Sequence, residues 1–441
     1  MPPKRKISEV EAAPSDRGTA KKRATLVLNN TANGVIEDIN MLTARHKTAS
    51  AGGIDLSGYP GDGNFYARWV KMGQGDCIVM ATPGGKLILV DCGSIGSDGL
   101  ADGTLKRFAQ YCLYSKRFFG GTGPGGTTRQ LDILVLTHPD DDHNNKLAAV
   151  LTRDKVSPRV DRVYHSADMG DYQFSTQNWV RNSQLDTGLE YMVTFNEEAK
   201  DVGGAGDITL AKRSNQDKKY SNADIAKKKQ KDADEEVKKG DLFNYLDDRG
   251  RLVIHHEKSS CKISVLASGV KKRYVDDHDT DALKNRASMV LLVEVFGKRL
   301  LLCGDATKST EIYLMEKSVY AAENKKHLAG VDVIHVGHHG SNLTSSSPDF
   351  VKLVKPTTQA VVSAGKTGKA LHHLPDSEVV NTYANQFGAN TADEHEVWYW
   401  VVGKDEIVQT KAKLTAPVYV TGSITSEPWA ESKLDLVWKP A

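Results

Sequence analysis

The run Leu131-Asp132-Ile133-Leu134-Val135-Leu136 limits what this chain can become more than any other stretch, because it stops abruptly at Thr137-His138-Pro139-Asp140-Asp141-Asp142-His143. The first part reads as a buried strand, the second as a polar loop, and Lys146 to Leu151 as a helix that follows. Two further apolar runs end the same way. Arg299-Leu300-Leu301-Leu302-Cys303 stops at Gly304-Asp305, and Val331 to Val336 stops at Gly337-His338-His339-Gly340-Ser341. Three strands that each terminate in aspartate or histidine predict a sheet edge where metal-ligand side chains gather.

The spacing His138-x-Asp140-x-Asp142-His143 puts four such side chains into one turn. Carboxylates this close repel unless a cation neutralises them, so a divalent metal is the expected counter-ion. An EF-hand calcium loop fits Asp140 and Asp142 but fails at the required glycine, where Asn145 stands, and at the twelfth position, where Leu151 replaces glutamate. Asp305 emerges beside Gly304 at the end of a strand; alone such an aspartate is usually a turn or cap residue, and its weight comes from company, since a dinuclear centre needs a bridging carboxylate. His338 and His339 also end a strand. Neighbouring strand residues point apart, so one of the two is expected to be a ligand.

The rest of the chain supplies the scaffold. Phe65 to Val70, Cys77 to Met80 and Lys86 to Val90 read as an opening β-meander with glycine-rich turns. Strands are expected again at Lys262 to Ala267, Ser288 to Val295 and Gln359 to Val362, with a helix from Ser377 to Phe387. Residues 1–62 mix Pro, Ser, Gly and charges without periodicity and are expected to form a largely disordered basic tail, apart from a short helix over Val35 to Ala44. Between about 200 and 250 the chain turns lysine- and aspartate-rich, which reads as a solvated insertion in a domain spanning 63–400. Residues 401–441 are expected to be a strand extension packed on that domain, with Trp398, Tyr399, Trp400 and Trp429 in the core or at a sheet edge.

Five scattered cysteines without CxxC spacing predict a reducing compartment, and a net charge of +2 announces no bulk affinity for polyanions. No run approaches the roughly 18 to 20 apolar residues of a membrane span, and the N-terminus lacks an apolar signal core. A cytoplasmic location is expected, with the nucleus as the alternative because of Lys4-Arg5-Lys6 and Lys21-Lys22-Arg23.

Together these motifs resemble the metallo-β-lactamase fold, in particular its ComEC-like branch related to the nuclease domain of competence proteins. Gly73-Gln74-Gly75-Asp76-Cys77 and Leu89-Val90-Asp91-Cys92-Gly93 look like the family's opening, His138 to His143 like its HxHxDH loop in an HxDxDH form, Cys303-Gly304-Asp305 like its bridging aspartate, and Gly337 to Ser341 like its HHGS turn. His372-His373-Leu374-Pro375 is similar to the terminal His-x-x-Pro element, so the resemblance covers about 65 to 400. It implies an α/β, four-layer αββα sandwich. It also implies that His138 and Asp140 help hold one ion, Asp142 and His143 the other, that Asp305 bridges, and that His338 or His339 completes a site. His372 would lie near substrate as ligand or proton donor, with Asp142 and His372 the catalytic pair. Asp91 would hydrogen-bond the metal loop. The family's extra histidine between His143 and Asp305 has no clear counterpart; His165 is the candidate, although a strand-end histidine is more often structural.

Three carboxylates against two dications leave about one positive charge, and a hydroxide brings the sum to about zero. Oxygen-rich ligation favours Mn or Mg more than an all-nitrogen site does, with Zn still suited, so two divalent ions are the expected cofactors. The function expected is metal-dependent hydrolysis of a phosphodiester, with nucleic acid or a nucleotide as substrate. A neutral ester, lactone or amide is the alternative substrate on the same fold, and a catalytically silent binding module the alternative of a different class. Lysines from Lys212 to Lys239 offer charge suited to a phosphate backbone, but Asp232, Asp234, Glu235 and Glu236 dilute them and a solvated insertion is the expected reading.

Overall fold

A computed structural model describes residues 61–95, 102–115, 117–119, 130–152, 157–194, 207–211, 245–246, 252–257, 260–270, 284–318, 320–364, 374–386, 396–401, 406–411 and 433–440. The expected N-terminal tail and its helix at Val35 to Ala44 lie outside these residues, as does most of the lysine-rich stretch. Alternating burial explains the first sheet. In β1 (Phe65–Val70), β2 (Ile78–Ala81), β3 (Leu87–Val90) and β4 (Leu131–Leu136), successive apolar side chains enter two different cores. Phe65, Ala67, Trp69, Ile78, Met80, Ile88, Val90, Ile133 and Val135 face one core, and Tyr66, Val79, Leu89 and Leu134 face the other. This period of two is what a strand buried on both faces requires.

The sheet continues through β5 (Val160–His165), β6 (Gln184–Thr194) and β7 (Asp207–Ala211). A second sheet holds β8 (Tyr245–Leu246), β9 (Leu252–Glu257), β10 (Cys261–Ala267), β11 (Val290–Val295), β12 (Lys298–Leu302), β13 (Val333–His335), β14 (Gln359–Val362), β15 (Glu396–Val401) and β16 (Glu406–Lys411). The last strand, β17 (Lys433–Trp438), returns to the first sheet beside β1. The order is β17-β1-β2-β3-β4-β5-β6-β7 in one sheet and β16-β15-β14-β13-β12-β11-β10-β9-β8 in the other. The charged stretch thus lies between β7 and β8, which end their sheets by pairing with β6 and β9. Val397 to Val401 pairs with β14 and β16, in line with a sheet position for its aromatic residues.

The shared core lies between the sheets and joins Trp69 and Tyr164 of the first to Ile263, Val293 and Ile334 of the second. Helices close both outer faces. Cys112, Leu151 and Val180, from the helices Asp102–Leu113, Leu147–Leu151 and Phe174–Ser183, pack on the first sheet. Leu328, Val351 and Tyr383, from Ala321–Leu328, Pro348–Val354 and Ser377–Gln386, pack on the second. The result is the expected α/β arrangement of helix, sheet, sheet and helix. The strand expected from Val331 to Val336 is bounded at Val333–His335, with the Val336 N–H still donating to the Val361 carbonyl at 2.8 Å before the turn at Gly337.

Two polar contacts hold the edges. Glu257 of the second sheet accepts the backbone N–H of Gly84 at 2.9 Å and the hydroxyl of Thr82, on the hairpin joining β2 to β3. Arg68 of β1 donates from Nη2 to Asp435 of β17 at 2.8 Å, with its guanidinium 3% exposed. Asp435→Ala therefore leaves a buried cation without its carboxylate. The expected loss is about 3 kcal/mol, read as a lower urea midpoint for the full chain.

Candidate metal centre

Strand direction decides where the chemistry gathers. β3, β4 and β5 run parallel in the first sheet, and β12, β13 and β14 run parallel in the second. Their carboxyl ends deliver Asp91, the turn at 137–143, Asp305, the turn at 337–341 and Ser363 to one edge of the sandwich. Crevices at the carboxyl ends of parallel strands are where α/β proteins place ligands, since loops there are free to vary on a fixed sheet.

Close backbone packing sets the first turn. A side chain on Gly93 would put its Cβ 2.3 Å from the Asp142 carbonyl carbon and 2.4 Å from the His143 nitrogen, so only glycine fits. Cys92 N–H donates to the His143 carbonyl at 2.8 Å, and Asp76 N–H to the Asp142 carbonyl at 3.1 Å. Gly304 adopts φ of +51°, and its Cβ position would be 3.0 Å from Thr137, which lets the Asp305 strand end close on the turn.

Asp305 stands at the centre. Its Oδ1 is 3.1 Å from His143 Nε2 and 3.5 Å from His339 Nε2, and its Oδ2 is 3.7 Å from His138 Nε2 and 3.8 Å from His338 Nε2. Each oxygen thus faces its own pair of imidazoles. Asp142 Oδ2 is 3.2 Å from His339 Nε2. Asp142, His143, Asp305 and His339 are all buried, and their ligand atoms lie within 4.8 Å of one another. Asp140 keeps to the rim, 3.9 Å from His138 Nε2 and 3.2 Å from Lys284 Nζ. It stands outside that compact group.

The far side of each ring is already occupied. His143 Nδ1 is 2.8 Å from Asp91 Oδ2, His339 Nδ1 is 2.8 Å from the Ser363 carbonyl, and His138 Nδ1 is 3.1 Å from Thr137 Oγ1 and 3.3 Å from Ser288 Oγ. Asp91 also accepts the Thr137 N–H at 2.8 Å, so it braces the metal loop as the resemblance implies. Partners of this kind fix a tautomer and leave Nε2 directed inward. His138 Nε2, His143 Nε2 and Asp305 Oδ1 are buried without a hydrogen-bond partner. Unsatisfied buried nitrogens aimed at a carboxylate are poor packing for a protein alone and suitable donors for a divalent cation.

Charge tells the same story. Burial opposes ionisation of Asp305, yet His339, His143 and His338 hold its carboxyl well below the usual carboxylate range. Burial also disfavours the charged form of His339, but Asp305 and Asp142 push it up to about 9. His143 is likewise held well above its ordinary value, against burial, by Asp305 and Asp91. His138 moves the other way, down to about 3, through burial and the neighbouring His143.

The two histidines of the 337–341 turn depart from expectation. Both have positive φ, 48° at His338 and 52° at His339, so the backbone is a left-handed turn and not a pleated strand end. Both rings therefore reach Asp305, one at each oxygen. His338 has other engagements as well: its Nε2 is 3.0 Å from Asn285 Nδ2, and its Nδ1 meets the Thr344 hydroxyl. His165 turns elsewhere, with Nδ1 2.6 Å from the Ala167 carbonyl and Nε2 3.4 Å from Glu190, which is the structural role of a strand-end histidine. His372 lies outside the described residues. Pro375, in the same motif, packs on the turn, 2.9 Å from where a Cβ of Gly340 would sit.

Several members of the site are not read from the sequence as such. Ser363, Ser288, Asn285 and Lys284 are single polar residues at strand ends or in loops, with no spacing that singles them out. Asp76 lies in a motif that reads as a turn, and His335 lies in an apolar run that reads as core. A glycine-flanked acid directly before a buried strand was the available signal for Asp76.

No family model matches the chain. A stretch of 99 residues, 22% of the chain, is 36% identical to ComE operon protein 3 of Bacillus subtilis (strain 168) and spans 11% of that protein's length. Human tRNase Z, short form, is similar at 11% identity and a TM-score of 0.36, covering 70% of this chain and 96% of that one. The metallo-β-lactamase fold protein YhfI from Bacillus subtilis is similar at 10% identity and a TM-score of 0.36, covering 78% and 100%. At such scores the architecture stands on the chain's own strand order. Among the described residues, no helix is long and apolar enough to cross a membrane.

Cation binding to this site must displace protons. With His339 pushed up to about 9 and His143 held well above its ordinary value, both carry protons at neutral pH, so affinity rises with pH through about 9. Each displaced proton is worth about a tenfold gain in affinity per pH unit. Titrating Mn(II) or Zn(II) in buffers of different ionisation enthalpy is expected to show net proton release at pH 7, reduced in His339→Asn.

Proposed function

We propose that this protein is a divalent-metal-dependent hydrolase of phosphodiesters. One observation carries the reading: inward-facing imidazole nitrogens with no hydrogen-bond partner, at His138 and His143, converge with His339 on the two oxygens of a buried carboxylate, Asp305. Asp142, His143, His339 and Asp305 Oδ1 would hold one cation. His138, Asp140 and Asp305 Oδ2 would hold a second, with His338 beside them. Mixed nitrogen and oxygen ligation of this kind suits Mn or Zn, and Mg where water completes the shell. When bound, such cations supply Lewis-acid activation of water and neutralise charge on a phosphoryl group.

The chain's own side chains do the rest. Asp91, the Ser363 carbonyl and the hydroxyls of Thr137 and Ser288 hold three imidazoles in the tautomer and orientation that present Nε2. Asp140 pairs with Lys284 at 3.2 Å, and the Lys284 side chain, 57% exposed at the rim, would exchange that partner for a phosphoryl oxygen once Asp140 holds a metal ion. A cation there favours an anionic diester over a neutral ester, for which it would have no counterpart. His372 is assigned to protonate the leaving oxygen, a task suited to imidazole near neutral pH. The similarity to a competence-operon protein and the ComEC-like motifs favour nucleic acid or a nucleotide as substrate.

Asp305→Asn and Asp142→Ala are expected to lose at least about a thousandfold in kcat/KM on a bis-aryl phosphodiester with Mn(II), while remaining folded by circular dichroism. Full activity in either variant would remove the assignment. Metal uptake without turnover of any phosphodiester would turn the reading toward a neutral ester or a catalytically silent module.

A further inference from the structure

Beneath the inward-facing ligands lies a second carboxylate–imidazole contact that the proposed chemistry does not use. Asp76 precedes β2 in the first sheet, His335 ends β13 in the second, and both are buried. Asp76 Oδ1 is 3.4 Å from His335 Nε2. Neither that oxygen nor either ring nitrogen of His335 has a hydrogen-bond partner. A pair like this is a weak source of stability, because taking both groups out of water offsets their attraction and apolar residues of similar volume serve as well or better. Its retention calls for another explanation.

The neighbours of the pair supply one. Asp76 Oδ2 is 3.9 Å from His143 Nδ1, its N–H donates to the Asp142 carbonyl at 3.1 Å, and its carbonyl accepts from Gly93 N–H at 3.0 Å. Asp76, Asp91 and His143 form a second buried group whose ligand atoms lie within 4.8 Å. His335 is in register with Leu302 of β12 and lies four residues before His339. Asp76 thus touches the turn that carries Asp142 and His143, and His335 belongs to the strand that leads to His339. Beside them, Ser363 Oγ donates across the sheets to the Gly75 carbonyl at 2.7 Å.

We propose that Asp76 and His335 are the positioning pair of the metal centre, an inter-sheet clamp that sets the separation between the ligands Asp142 and His143 on one sheet and Asp305 and His339 on the other. Metal–ligand distances tolerate only about 0.2 Å, so a centre shared between two sheets needs such a fixed separation. The inference rests on the metal-centre reading of the site above.

The test measures Mn(II) binding to the full chain, by chelator competition and by electron paramagnetic resonance, in wild type, Asp76→Asn, His335→Gln and the double variant Asp76→Asn/His335→Gln. Each single change is expected to weaken affinity by about 10- to 100-fold and to alter the Mn(II) spectrum. The double variant is expected to regain the thermal midpoint lost in the singles, since no lone group stays buried, while affinity stays weak. That split separates positioning from mere scaffolding, and the double variant decides the matter where a single one fails to fold. Wild-type affinity in the double variant, or in both singles, would overturn the clamp and leave the hydrolase reading standing. A wild-type chain that takes up neither Mn(II) nor Zn(II) would overturn both.

Discussion

Asp305 is a carboxylate held in its charged form inside the protein, and most of the local structure can be traced to keeping it there. Burial alone would protonate it. His339, His143 and His338 prevent that, with His138 also within 3.8 Å, and three of the four rings are held in turn from behind by Asp91, Ser363, Thr137 and Ser288. These groups arrive from several strand ends of both sheets. Altering the strand order would therefore dismantle the charge balance along with the fold. Without a cation the balance rests on protons at His143 and His339; with one, those nitrogens are free to be ligands.

The sandwich contributes rigidity that a loop-built site would lack. Both sheets are buried on two faces, so their strand ends have little freedom to drift. Glu257 ties the sheets at the edge opposite the site, and contacts at Asp76 and Ser363 tie them beneath it. Among the described residues at the edge that carries Asp305, the side chains of Lys284 and His338 are partly exposed.

Much of this was legible beforehand, for identifiable reasons. The strands β1 to β4 and β10 to β14 are apolar runs with clear ends, and periodicity is a strong signal in such runs. The ligand candidates stood out because histidine and aspartate directly after a buried strand are unusual company for it. His165 was distinguishable only by what its ring meets, namely the Ala167 carbonyl and Glu190. Pleat geometry predicts that His338 and His339 point apart; both instead take left-handed backbone after β13, and His339 is the one that joins Asp142, His143 and Asp305 in the compact group. Asp76 and His335 were hidden for opposite reasons, one looking like a turn and the other like core.

The sequence by itself determined which segments are strands and that three of them end in metal-binding residue types. These are local properties, set by side-chain alternation and backbone sterics within a few residues. Tertiary structure alone decided that Asp305 meets His143 and His339 through one oxygen and His138 and His338 through the other, that Lys284 faces Asp140, and that His335 lies against Asp76. Those contacts join residues tens to hundreds of positions apart, across two sheets whose order no local pattern encodes. Their distances follow from how the sheets pack, which is a property of the whole core.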